Sequence, residues 1–128
     1  MNRKRIAAVL GCAAAGFLLV GCESSGTERV RNIKIGVAVY DQYDTFISQL
    51  VEQFNQCAAE MSDSADPNIS VKIEVYNAGK SQTTQNDQVK NMLEQECDVL
   101  CVNLVDRTEP VTIIDMAEKQ DVPVIFFN

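Results

Sequence analysis

The sequence predicts an α/β fold, a doubly wound parallel sheet, and two observations carry that expectation. From Ile33 onward, short apolar runs alternate with segments of helical periodicity, and no internal repeat or low-complexity stretch interrupts the alternation. Strand, helix, strand in regular succession makes βαβ units, whose right-handed crossovers give parallel neighbours with helices on both faces.

Ile33 to Tyr40 (IKIGVAVY) is short, apolar and β-branched, and reads as a buried strand. From Thr45 to about Met61, apolar residues recur at Phe46, Leu50, Phe54, Cys57 and Met61, with Glu52, Gln53 and Glu60 elsewhere. That spacing is helical and sets those five residues on the apolar face. Asp63 to Asn68, with Pro67, reads as a loop. Ile69 to Tyr76 alternates Ile69, Val71, Ile73 and Val75 with Lys72 and Glu74, the pattern of a half-buried strand. Asn77 to Ser81 turns the chain into a second helix from about Thr83 to Gln95, with Val89, Met92 and Leu93 inward. Asp98 to Asn103 is a third strand, Val111 to Lys119 a third helix and Pro123 to Phe127 a fourth strand. The chain stops at the end of that strand, where another helix would ordinarily cover it, so a truncated domain is expected.

The first residues carry a different signal. Met1 to Arg5 is basic, and Ile6 to Val20 is 15 residues without a charge, short of the ~20 a membrane-spanning helix needs. A basic start, a short apolar centre and small residues at the end make a secretory signal peptide, residues 1–21. Residues 22–32 are polar, with Ser24, Ser25 and Gly26, as suits a tether. The expected folded lobe is 33–128.

Five cysteines are present. Cys12 lies in the signal and Cys22 at its end, which leaves Cys57, Cys97 and Cys101, an odd number that argues against a complete disulfide framework. Cys57 falls on the apolar helix face, and Cys97 and Cys101 straddle the start of an extended segment, too far apart to bridge. All three read as small buried hydrophobes.

Charge excludes several functions. Eighteen acids face 11 cations. Loss of Arg3, Lys4 and Arg5 with the signal leaves 8 cations against 18 acids, a net charge of −10. Such a surface disfavours nucleic acid, where Lys and Arg neutralising phosphates supply most of the affinity. There is no histidine, so neither a Ser-His-Asp nor a Cys-His pair can be assembled from these residues. No GxxxxGK[ST], GxGxxG or GxSxG pattern appears, and no enzymatic activity is expected.

In an open parallel sheet, ligands sit beyond the carboxyl ends of the strands where the strand order reverses. If the first and third strands flank that point, Asp41-Gln42-Tyr43-Asp44-Thr45-Phe46 and Asn103-Leu104-Val105-Asp106 converge there. A carboxylate, an amide and a ring would then share one cleft, a set that suits a neutral polyol. The carboxylate accepts hydroxyl hydrogen bonds, the amide donates and accepts, and the ring covers a C–H face. Local roles compete with this reading. Asp44 precedes a helix, where Asp is a favoured cap; Phe46 is in phase with Leu50 and Phe54, which fits core packing; Asn103 ends a strand, where a turn role is as common. Asp41 and Asp106 read most simply as solvated loop acids.

Two resemblances follow from these residues. Leu19-Val20-Gly21-Cys22 resembles the lipobox of bacterial lipoproteins, which implies a lipid on Cys22, cleavage before it and anchoring on the outer side of the cell membrane; Val9-Leu10-Gly11-Cys12 is a weaker second match. Ile35-Gly36-Val37 through Tyr40, Tyr43-Asp44-Thr45-Phe46, Gln85-Asn86-Asp87-Gln88, Asn103-Leu104-Val105-Asp106 and Val122-Pro123-Val124-Ile125-Phe126-Phe127-Asn128 resemble the galactose/glucose-binding proteins of the periplasmic sugar-binding family. That resemblance covers about Ile33 to Asn128. It implies the N-terminal lobe of a two-lobed type I binding protein that closes on a monosaccharide and delivers it to the membrane subunits of an ABC permease.

The resemblance also implies roles for residues. The aspartate at Asp44 accepts sugar hydroxyl bonds, the aromatic at Phe46 stacks on the pyranose, and the asparagine at Asn103 bonds a further hydroxyl. No cofactor is implied within these residues; the second lobe, outside them, carries a calcium loop in many members. Departures are the lipid anchor, the inserted-looking Ser62 to Pro67 loop and Arg107-Thr108-Glu109 after Asp106. Two other functions fit the same fold: a sugar-sensing module serving a chemoreceptor or sensor kinase, and an exported α/β enzyme with its catalytic residues further along. Sugar-responsive repressors would need a DNA-binding segment where the signal peptide lies.

Overall fold

The computed structural model describes residues 30–64 and 68–127. The signal peptide, Cys12, Cys22 and most of the tether lie outside the described residues, as do residues 65–67 and Asn128.

Strands β1 (Arg31–Val39), β2 (Ile69–Asn77), β3 (Val99–Val102) and β4 (Val124–Phe126) alternate with helices α1 (Thr45–Ser64), α2 (Gln82–Glu94) and α3 (Val111–Glu118). The strands form one sheet in the order β2-β1-β3-β4, every neighbouring pair parallel. The order reverses between β1 and β3, so the expected switch point is present, with Ile35 opposite Val99 and Ala38 opposite Val102. β1 begins at Arg31 because Arg31 and Asn32 pair with Ile69 and Ser70.

The helices divide the core between two faces. Val37, Ala38 and Val39 are fully buried because β1 is an inner strand covered on both sides. Side chains alternate across a strand. Ala38 therefore packs with Val89, Met92, Leu100, Val102 and Ile113 under α2 and α3, while Val37 and Val39 pack with Ile47 under α1. Gly36 lets α2 approach the sheet. A Cβ there would stand 2.6 Å from Met92 Sδ and 3.2 Å from Cys97 Sγ, so even alanine would force the buried Met92 to move.

α1 departs from the sequence expectation in phase. Ile47 is fully buried, Ala58 is nearly so, and Val51 and Phe54 are half-buried against β1 and β2. Phe46 and Met61 are 58% and 51% exposed, and Cys57 is exposed. The helix has two apolar stripes turned by about 100° from each other, and its N-terminus selects between them. The Ile47 N–H donates to Asp44 Oδ1 at 3.0 Å, and Asp44 is itself fixed at the end of β1, so Ile47 and not Phe46 faces the sheet. The expectation that Cys57 is a buried hydrophobe is thereby corrected; Cys97 is buried and Cys101 half-buried, and all three are free thiols. With Phe54, Met61, Ile73 and Cys101, Cys57 lines a shallow apolar groove of about 180 Å³ between α1 and the sheet.

α1 also runs further than expected, taking in Ser62 and Asp63. Ser62 Oγ donates to Ala58 O at 2.9 Å and accepts from the Val71 N–H at 3.0 Å, tying the last turn to β2. Among the described residues no helix is long and apolar enough to cross a membrane.

Candidate functional site

The carboxyl ends of the strands carry the loops of interest, and Tyr40 stands at their centre. It follows the last residue of β1. Its phenol donates to Asp44 Oδ2 at 2.7 Å, and its backbone N–H donates to Asn103 Oδ1 at 3.3 Å. One residue thus joins the loop after β1 to the end of β3. The two polar residues singled out in the sequence do come together at the switch point.

Asp44 is both cap and candidate ligand. Oδ1 accepts the Ile47 N–H and Oδ2 the Tyr40 hydroxyl, and the Phe46 amide adds a further interaction with the carboxylate. The Ile47 amide, then the Tyr40 hydroxyl, hold its carboxyl below the usual carboxylate range, so it is ionised at neutral pH. The same bond to Asp44 raises the Tyr40 phenol above its ordinary value and keeps it protonated as a donor. Phe46 projects from the first turn of α1, 58% exposed; the core-packing alternative does not apply to it.

Asn103 is only 1% exposed. Besides accepting from Tyr40, it donates Nδ2–H to Phe127 O at 3.1 Å. Its side chain is a strut across the ends of β1, β3 and β4, with one Nδ2–H left over.

Asp41 and Asp106 are not simply solvated. Asp41 accepts the Tyr43 N–H at 3.0 Å and pairs with Lys80 Nζ at 3.1 Å. The Tyr43 amide, and after it Lys80, lower its pKa. Lys80 N–H donates to Tyr40 O at 2.7 Å, with Lys80 in the left-handed region at φ 65°. Asp106 Oδ1 accepts both the hydroxyl and the N–H of Thr108, at 2.6 and 2.8 Å, and these bonds lower its pKa. Each acid locks its own loop.

Two residues at this rim carry roles that the sequence motifs alone do not assign. Tyr40 was assigned only to the strand end, although an aromatic hydroxyl four residues before an aspartate was a visible signal. Gln85 is fully buried in α2, where Nε2 donates to Asn103 O at 2.9 Å and Oε1 accepts the Val105 N–H at 3.0 Å. Its signal was a polar residue in phase with Val89 and Met92. Among the described residues there is no group of three or more Cys, Asp or Glu placed to hold a metal ion. Among the described residues the rim offers an ionised carboxylate, an exposed ring two residues on and buried amides that brace the strand ends, groups whose chemistry suits a hydroxylated neutral molecule.

Comparison with known proteins agrees with this architecture. The sequence profile of the periplasmic binding protein domain matches residues 35–128. The D-galactose/methyl-galactoside binding periplasmic protein MglB of Haemophilus influenzae is 32% identical over 95 residues, 74% of this chain and 27% of that protein. An ABC transporter solute binding protein from Bacillus halodurans, solved with bound myo-inositol, superposes with a TM-score of 0.64 at 26% identity, over 81% of this chain and 33% of that one. A solute binding protein from Mycobacterium smegmatis, solved with glycerol, shares the fold at a TM-score of 0.61 and 22% identity, over 75% of this chain and 31% of that one. The chain therefore spans about a third or less of the length of these relatives. With a parallel sheet that reverses order between β1 and β3 and a matching profile over 35–128, the chain belongs to the periplasmic binding protein domain family.

Proposed function

We propose that this lobe belongs to an extracytoplasmic solute-binding protein that binds a monosaccharide of the galactose/glucose type and delivers it to an ABC importer. Cys22 is the proposed lipid attachment site, after removal of residues 1–21. The observation that carries the sugar reading is the pairing of Asp44 with Phe46. Two residues apart where the chain enters α1, one is an ionised carboxylate fixed by the Ile47 amide and the Tyr40 hydroxyl and the other is an exposed ring, and the reading has the sugar use both. The similarity to MglB supports the choice of sugar.

Asp44 accepts sugar hydroxyl hydrogens in charge-assisted bonds stronger than neutral ones. Because the carboxylate is already fixed, little ordering is needed on binding. Phe46 covers an apolar C–H face of the pyranose. Asn103 contributes its remaining Nδ2–H to a further hydroxyl. A second lobe closing from the other side completes the cleft, and the reaction is binding and release, with no bond made or broken.

Titration calorimetry of the full-length protein with D-galactose and D-glucose tests this reading. Asp44→Ala abolishes detectable binding of the sugar that the unmodified protein takes up. Unchanged affinity in that variant rejects the site.

A further inference from the structure

We propose that Gln85 is a positioning residue for the sugar site: it touches no sugar, and sets the binding geometry by holding the Asn103–Val105 segment from behind. The inference rests on the sugar reading above, in which Asn103 meets the ligand.

Gln85 is an unusual choice for its place. It lies in phase with Val89 and Met92 on the buried face of α2, where an aliphatic residue would pack without a polar group to satisfy. Burying a carboxamide is costly unless both ends are bonded. Here both are, and to one short segment: Nε2–H to Asn103 O at 2.9 Å and Oε1 to the Val105 N–H at 3.0 Å. The chain is leaving β3 at that point and losing its sheet partners. One side chain supplies a donor and an acceptor to replace them, and so fixes the backbone of Asn103.

Its neighbours on the helix also reach loop backbone, each by one bond, and the buried Gln88 Oε1 is left unpartnered among the described residues. Gln82 Oε1 accepts the Asp106 N–H at 2.8 Å, and Gln88 Nε2–H donates to Asn77 O at 2.8 Å. Three glutamines at three-residue spacing hang the loops after β2 and β3 from α2. Gln85 is the one that reaches the site. Its grip on Asn103 passes through the Asn103 side chain to the Tyr40 N–H and Phe127 O, and through the Tyr40 hydroxyl to Asp44. The order of contact is Gln85, Asn103, Tyr40, Asp44.

A merely structural glutamine would affect stability and leave ligand affinity alone; a positioning one is coupled to Asn103 in binding. In the full-length protein, Gln85→Leu weakens D-galactose or D-glucose binding by about tenfold or more, the scale of a lost buried hydrogen-bond pair. Combined with Asn103→Ala its effect is largely absorbed, whereas combined with Phe46→Ala the two effects multiply. Gln85→Glu supplies a pH profile. Protonated, the new carboxyl can donate to Asn103 O and accept from the Val105 N–H; ionised, it cannot donate. Burial raises its pKa, so this variant binds sugar near the unmodified level at about pH 5 and weakly at about pH 8, both above the range where Asp44 titrates. Unchanged affinity in folded Gln85→Leu, full multiplication with Asn103→Ala, or a flat profile for Gln85→Glu each overturns the proposal.

If the unmodified protein binds neither sugar, the sugar reading has failed and Gln85 is judged without ligand. Gln85→Leu or Gln85→Glu then shifts the Asn103 side-chain NH2 resonances and speeds exchange of the Tyr40 amide. The Lys34 amide, bonded to Asp98 at the opposite rim, serves as the unaffected reference. Asn103 resonances that stay in place reject the positioning role.

Discussion

The Tyr40 hydroxyl donates to Asp44 Oδ2 at 2.7 Å, across the loop that joins the end of β1 to the start of α1. The bond settles several features at once. It orients the carboxylate, adds to the Ile47 amide in holding it ionised, and helps to set the rotation of α1, in which Phe46 stays on the surface. Tyr40→Phe removes only the hydroxyl. The expected result is a fold that persists, since Ile47 still caps on Asp44, with sugar affinity in the full-length protein reduced roughly fivefold to tenfold. Calorimetry reads the affinity, and carboxyl NMR should show the Asp44 pKa moving up toward its ordinary value. An affinity equal to that of the unmodified protein would mean that the hydroxyl does not prepare the site.

The acids of the rim also set an acid limit on stability. Asp41, Asp44 and Asp106 are each held below the ordinary carboxylate range, first by the Tyr43 amide, the Ile47 amide and the Thr108 hydroxyl respectively. In the unfolded chain these groups return to about 4. Between the folded and unfolded values the unfolded chain binds more protons, so stability rises with pH. Their contribution is complete above that unfolded value and is lost as pH falls through the lower folded ones. Thermal unfolding of the chain should therefore be nearly flat from about pH 8 to 5 and fall steadily below about pH 4. Asp106→Asn should lower Tm near neutrality and shallow that acid limb. A Tm that does not decline down to about pH 2 contradicts the assignment.

The three thiols report the packing of α1 independently of any ligand. Burial raises the pKa of Cys97 and of Cys101, so both are neutral and shielded, while Cys57 is exposed on α1. Thiolate is the reactive form. Among Cys57, Cys97 and Cys101, iodoacetamide at about pH 8, followed by peptide mass spectrometry, should modify Cys57 first and Cys97 last. Equal rates at Cys57 and Cys97 would show that α1 sits on the sheet in the other phase.

Much of this was legible before any coordinates. The alternation of strands and helices and the capping role open to Asp44 follow from the sequence pattern, whereas the adjacency of the first and third strands entered only as a condition that the sheet meets. The phase of α1 was not legible. Phe46, Leu50, Phe54, Cys57 and Met61 read as one apolar stripe, Ile47, Val51 and Ala58 make another that Phe54 also borders, and periodicity alone does not choose between them. What chooses is the anchoring of Asp44 at the end of β1 by the Tyr40 hydroxyl, which helical periodicity does not encode. Gln85 was missed for a related reason: a lone polar residue in a core phase reads as an imperfection until its two partners, some twenty residues away, are seen. The loop acids Asp41 and Asp106 looked idle because Lys80 and the Thr108 hydroxyl give them work only once the loops have closed.

The central claim is that a sugar binds at the carboxyl ends of β1 and β3, against Asp44 and Phe46. Amide NMR of the ¹⁵N-labelled full-length protein, titrated with D-galactose and D-glucose, examines it residue by residue. The account predicts saturable shifts in this lobe centred on Tyr40, Asp44, Phe46 and Asn103, and none at the apolar groove around Cys57 and Met61. Shifts confined to that groove, or no saturable shift with either sugar, would contradict it.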